Sequence, residues 1–144
     1  GVAFRNAGGK LMDSDVTRVR NTPLSGAQHG VALYALKTAG GPFSVEVGNV
    51  NLTDFQKNAT VFYGVDVNMH DSAVVGAGAT SVTAQNGVQA GGAACSFTNV
   101  TISGCTWTGP TWTAAGMLLY DALYRWCRDA TGETHNWPTG KVKS

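Results

Sequence analysis

The sequence predicts an all-β solenoid of about five coils, and three observations lead there. A short motif recurs along the chain: Gly-Val-Ala-Phe from Gly1, Gly-Val-Ala-Leu from Gly30, Ala-Thr-Val-Phe from Ala59, Gly-Val-Gln-Ala from Gly87 and Gly-Met-Leu-Leu from Gly116, with starts 29, 29, 28 and 29 residues apart. Nineteen glycines and four prolines punctuate a Thr- and Val-rich chain, the texture of short strands with tight corners and little helix. A unit of this length with two or three short alternating strands cannot bury its own apolar face, so it stacks on copies of itself.

The first strand of each coil alternates. Its second position reads Val2, Val31, Thr60, Val88, Met117 and its fourth Phe4, Leu33, Phe62, Ala90, Leu119, and these are expected to point inward. The third position (Ala3, Ala32, Val61, Gln89, Leu118) and the fifth (Arg5, Tyr34, Tyr63, Gly91, Tyr120) then face outward, apolar and aromatic where water would favour charge. On this alignment Tyr34 and Tyr63 stand one coil apart.

A second register begins ten residues after the repeat start, in the segments beginning at Leu11, Met69 and Phe97. Val47 joins it if about seven residues are inserted around Gly40-Gly41-Pro42, a site where a loop tolerates them. Asp13, Asn49, Asp71 and Asn99 then share one position, expected to turn the chain or to form a hydrogen-bonded ladder, and less readily an acidic catalytic column. After Tyr120 the pattern fails. Residues 118–129 read equally as a further coil strand and as a short amphipathic helix ending near Gly132. The division is therefore coils over 1–121 and a C-terminal cap or tail over 122–144. No comparable cap precedes the first coil, which starts at Gly1.

Composition narrows the function. The 144 residues are 43% hydrophobic and 13% charged, with a formal charge of +1, which excludes a disordered chain and gives no basic surplus for nucleic acid. No stretch reaches the roughly 18 to 20 consecutive apolar residues of a membrane span. Gly1 is not a start methionine, so the chain reads as a mature or excised piece. Cys95, Cys105 and Cys127 cannot all pair within one chain and form no CxxC motif.

The phrases 49–58 (NVNLTDFQKN), 84–89 (AQNGVQ) and 98–104 (TNVTISG) resemble coils of secreted bacterial right-handed parallel β-helix proteins of the pectin-lyase-like superfamily. The likeness runs from about Gly1 to Asp121. It implies a single-stranded right-handed parallel β-helix and an extracellular or cell-surface setting, neither of which the repeat arithmetic supplies. It also implies that any enzyme here would be a polysaccharide lyase or glycoside hydrolase working through clustered charged residues on the outer face.

Those motifs are not legible: there is no Asp-Asp pair, no Gly-His-Gly and no Arg-x-Lys. Asp54, His70 and Asp71 are the carboxylate and imidazole candidates if an activity exists. His29, His70 and His135 share no metal-ligand spacing, and neither a metal nor a cofactor is expected. There is no Gly-x-Ser-x-Gly elbow, and no cysteine adjoins a histidine. Asn51, Asn58 and Asn99 each begin an Asn-x-Thr glycosylation pattern. The binding candidates are Arg5, Tyr34, Tyr63 and Tyr120, with Trp107, Trp112, Trp126 and Trp137 able to cover or extend that surface.

Two functions follow as expectations. The first is a non-catalytic extracellular solenoid that assembles with itself or docks on another β-helix chain through an open coil end and the tyrosine face. The alternative is a polysaccharide-binding or polysaccharide-cleaving domain, with binding ahead of cleavage.

Overall fold

The alternating segments form strands throughout. In a computed structural model, which describes residues 1–92 and 94–120 and the backbone of three two-residue strands beyond them, the order is β1 (Val2–Arg5), β2 (Gly9–Val16), β3 (Val31–Leu36), β4 (Ser44–Thr53), β5 (Asn58–Tyr63), β6 (Asp66–Thr80), β7 (Asn86–Gly91), β8 (Ala94–Trp107), β9 (Ala115–Tyr120), β10 (Leu123–Tyr124), β11 (Cys127–Arg128) and β12 (Thr134–His135). Odd strands β1-β3-β5-β7-β9 make one five-stranded sheet and even strands β2-β4-β6-β8-β10 another. Both are parallel throughout, so each coil contributes one strand to each sheet. The chain is all-β with parallel sheets, of the solenoid kind that the repeat predicts. β11 and β12 form a separate antiparallel pair.

The two sheets share one core. Leu33, Phe62, Val88 and Ala90 from the first sheet meet Val45, Val47, Leu52, Met69, Val74 and Phe97 from the second, with Phe55 wedged at the corner between them. Burying each large side chain contributes about 1.5–3 kcal/mol. The second register is as the sequence predicts, with Leu11, Val47, Met69 and Phe97 on adjacent strands in one column. The insertion is also there: residues 37–43 separate β3 from β4, whereas Gly64 and Val65 alone separate β5 from β6.

The corners use the left-handed backbone region. Asp13, Asn49, Asp71 and Asn99 bend β2, β4, β6 and β8 with φ of 50, 53, 49 and 53°. Asn and Asp tolerate that region better than other side chains do, because a short polar group can hydrogen-bond locally. Asn49 Nδ2 donates to Asp13 Oδ1 and Asn99 Nδ2 to Asp71 Oδ1, each at 2.8 Å, so the column is both turn and ladder. A further corner follows at Arg18 and Asp54, also at positive φ, where an ion pair joins Arg20 to Asp54.

Two expectations need correction. The first strand of coil two is shifted by two residues: Val2 pairs with Leu33, not Val31, and Leu33 pairs with Thr60. Side chains alternate with a period of two, so a slip of two keeps every residue on its face and apolar patterning cannot detect it. The core-side columns are therefore Val2-Leu33-Thr60-Val88-Met117 and Phe4-Ala35-Phe62-Ala90-Leu119, of which Met117 is exposed and not packed on the core. The helix reading of 118–129 also fails at its start, because Leu118 to Tyr120 complete β9, paired with β7. The remainder of the cap or tail, with Trp126 and Trp137, lies outside the described residues apart from the backbone of β10, β11 and β12.

Candidate functional site

The two sheets present different outer faces. On the first, the corrected register makes the outward columns Ala3-Tyr34-Val61-Gln89-Leu118 and Arg5-Leu36-Tyr63-Gly91-Tyr120. Tyr34 therefore neighbours Ala3 and Val61 and is not the coil-to-coil partner of Tyr63; Leu36 takes that place. The aromatic contact that does form joins Tyr63 and Tyr120, 46% and 40% exposed, with ring centroids 6.3 Å apart. Gly91 lies between them, and Tyr120 fills the space that a Cβ there would take. Arg5 is exposed at the first coil, with no charged residue beside it in these columns. Trp112 stands apart at 72% exposure, and Trp107 is half-buried.

The second sheet is polar outside. Lys10 Nζ lies 2.5 Å from Glu46 Oε2, Glu46 Oε1 3.5 Å from His70 Nε2, and His70 Nδ1 2.9 Å from Asp71 Oδ2. With Asn99 donating to the second oxygen of Asp71, the line crosses β2, β4, β6 and β8. Each group is tuned by its neighbours: Asp71 holds the His70 imidazole above its ordinary range, with Glu46 adding to the effect. Asn99 and then His70 hold Asp71 below the usual carboxylate range, and Lys10 and then His70 do the same for Glu46. An open, shallow depression lined by Ser44, Glu46, Asp66 and Asn68 adjoins the line.

Of the acid/base candidates, His70 and Asp71 are brought together. Asp54 is not with them; its carboxylate is held by Arg20 at the next corner. Glu46 and Lys10 were missed. Their signal was present, since each directly precedes a residue of the second-register column, Val47 and Leu11. The arrangement can exchange protons at His70 and accept hydrogen bonds from a polar ligand. Among the described residues no group of three or more His, Cys, Asp or Glu is arranged to hold a metal ion.

The remaining sequence signals fall to the scaffold. Asn58 is buried and donates to Gln89 Oε1 at 2.7 Å, so its glycosylation pattern is closed off, whereas Asn51 and Asn99 are exposed. His29 sits on the loop before β3, its Nε2 3.4 Å from Asn21 Oδ1. Burial pushes the Cys105 thiol up, the opposite of an activated nucleophile. No helix among the described residues is long and apolar enough to cross a membrane. Comparison with known protein families, with characterised proteins and with solved structures finds no match.

Proposed function

We propose that the protein is a non-catalytic, right-handed β-solenoid of the extracellular space or cell surface, which associates with copies of itself or with another β-helix chain. The contact is the tyrosine-bearing face of the first sheet. The observation that carries this reading is that face: Tyr63 and Tyr120 exposed, with Tyr34, Leu36, Val61 and Leu118 half-buried around them and Arg5 as the charge at its margin. Contiguous apolar surface of this kind marks interaction sites, with tyrosines as favoured anchors.

The right hand rests on the general rule that parallel strands of one sheet are joined by right-handed crossovers, and on the resemblance to secreted β-helix coils. The setting rests on that resemblance alone.

Light scattering of the purified chain, with negative-stain imaging of the same sample, tests the proposal. A defined oligomer or filament that Tyr63→Ala with Tyr120→Ala dissolves is expected. A monomer at every concentration sinks it.

A second reading, binding of a polysaccharide, is favoured by the Tyr63–Tyr120 pair with Gln89 in the next column, since aromatic faces stack on sugar rings while an amide reaches hydroxyls. Retention on immobilised polysaccharide, lost in the same double variant while the native mass stays unchanged, would decide for it. Cleavage would need His70, Asp71 and Glu46, and His70→Gln would abolish it.

A further inference from the structure

Both ring nitrogens of His70 face carboxylate oxygens, Asp71 Oδ2 at 2.9 Å from Nδ1 and Glu46 Oε1 at 3.5 Å from Nε2. Asp71 is the next residue in the chain, but Glu46 belongs to β4, one coil away. A neutral imidazole carries a single N–H, so it turns a lone pair toward one of the two carboxylates; the imidazolium presents an N–H to each. The ring also lies directly on the strand it spans. A Cβ built on Gly48 would stand 2.5 Å from His70 Cε1, so the missing side chain is what lets the imidazole reach across β4.

We propose that His70 is a proton-operated clasp. Charged, it ties β6 to Glu46 of β4 and steadies Asp71 beneath Asn99; neutral, it releases one carboxylate and leaves the polar face looser and more negative by one charge. Glu46 of β4 and the adjoining Asp71 contact the ring; the other charged groups on the strands packed around it are Lys10, Asp13 and Asp15 of β2 and Asp66 of β6, while β8 places the neutral Thr98 beside it. Among these four strands Lys10 is the one other cation, so loss of the imidazolium charge is poorly compensated. The sign follows from Asp71 and Glu46 raising the folded pKa. The clasp is fully closed below the unfolded histidine value of about 6.5 and opens as pH rises through the folded value. The consequence is a face that is tight in mild acid and opens in alkali, beside the depression that Glu46 lines. This device is independent of whether the tyrosine face binds a protein or a glycan.

The test follows the His70 ring by NMR from about pH 5 to 9 in the wild-type chain, Glu46→Gln and Gly48→Ala, with amide protection factors of β4 and β6 on the same samples. The wild-type midpoint should lie above that of an unstructured histidine peptide. Glu46→Gln should lower it, and Gly48→Ala should lower it too, although that change leaves every charge in place. Wild-type protection in β4 and β6 should fall severalfold as the ring loses its proton, and should stay level in Glu46→Gln. An unchanged midpoint in both variants, or protection that ignores the titration in the wild type, overturns the clasp.

Discussion

Tyr120 lies over Gly91 and meets Tyr63 two coils away, with ring centroids 6.3 Å apart and planes inclined by 35°. A Cβ on Gly91 would stand 2.3 Å from Tyr120 Cε2, so the ring occupies space that only glycine leaves. Gly91→Ala should therefore push Tyr120 aside and separate the rings. Tilted aromatic pairs contribute about 0.5–1.5 kcal/mol beyond their buried area. A double-mutant cycle on Tyr63 and Tyr120, by urea unfolding, should give a coupling in that range in the wild-type background and close to zero with Ala at 91. Equal coupling in both backgrounds would mean that the glycine plays no part in the contact.

Asn49 combines a backbone role with a side-chain one. Its φ is 53°, and its Nδ2 donates to Asp13 Oδ1 at 2.8 Å. Asn49→Gly removes the hydrogen bond, worth about 0.5–1.5 kcal/mol, without straining the corner. Asn49→Ala removes the same bond and adds about 1–2 kcal/mol for a Cβ held in the left-handed region. Chemical denaturation should rank the chain Asn, then Gly, then Ala. Finding Ala equal to Gly would remove backbone strain from the account of this corner.

Coil number, strand alternation and the second-register column were legible because they depend on spacing. Leu11, Val47, Met69 and Phe97 had to align once the core face was chosen. The place of Tyr34 was not legible. A two-residue slip in coil two leaves every inward residue inward, so only the hydrogen bonding of β3 to its neighbours fixes which residue lies beside Tyr63. The polar line was half legible. His70 and Asp71 are adjacent in sequence and easily noticed, whereas Glu46 reaches His70 across one coil and past Gly48, and that contact exists only in three dimensions. Asp54 is a candidate beside them in the sequence, but it follows the end of β4 at a corner of its own, where Arg20 holds its carboxylate.

Gln85 is a buried amide with both ends in use. Its Nε2 donates to Phe55 O at 2.5 Å, and its Oε1 accepts from Ala77 N at 2.6 Å, so it joins the corner of one coil to the strand of the next. Gln85→Ala strands both backbone groups, at about 1–3 kcal/mol each. The exposed Gln28, which donates to Gly26 O on its own loop, is the control. Urea unfolding should show Gln85→Ala losing about 2–5 kcal/mol and Gln28→Ala losing less than about 0.5 kcal/mol. Similar losses at the two sites would show that the bonds of Gln85 are replaced by water when the side chain is cut back.

Acid should weaken the fold from the other side of the histidine titration. Asn99 and His70 hold Asp71 below the ordinary carboxylate range, and Lys10 and His70 do so for Glu46. A folded value below the unfolded one contributes stability that is complete above about pH 4 and is lost as pH falls through the folded value. His70 has the opposite sign, since its contribution fades on the alkaline side. Together they place the most stable range in mild acid, at about pH 5–6. Thermal unfolding across pH should show that maximum in the wild type. Glu46→Gln with Asp71→Asn should shrink both limbs, the acid one because the two carboxylates are gone and the alkaline one because His70 has lost the anions that held its proton. His70→Gln should remove the histidine part of the alkaline limb and leave Lys10 and Asn99 still acting on Glu46 and Asp71, so that some of the acid limb survives. An acid limb of wild-type size in the double variant would show that the ion pairs along Lys10, Glu46, His70 and Asp71 are too exposed to affect folding.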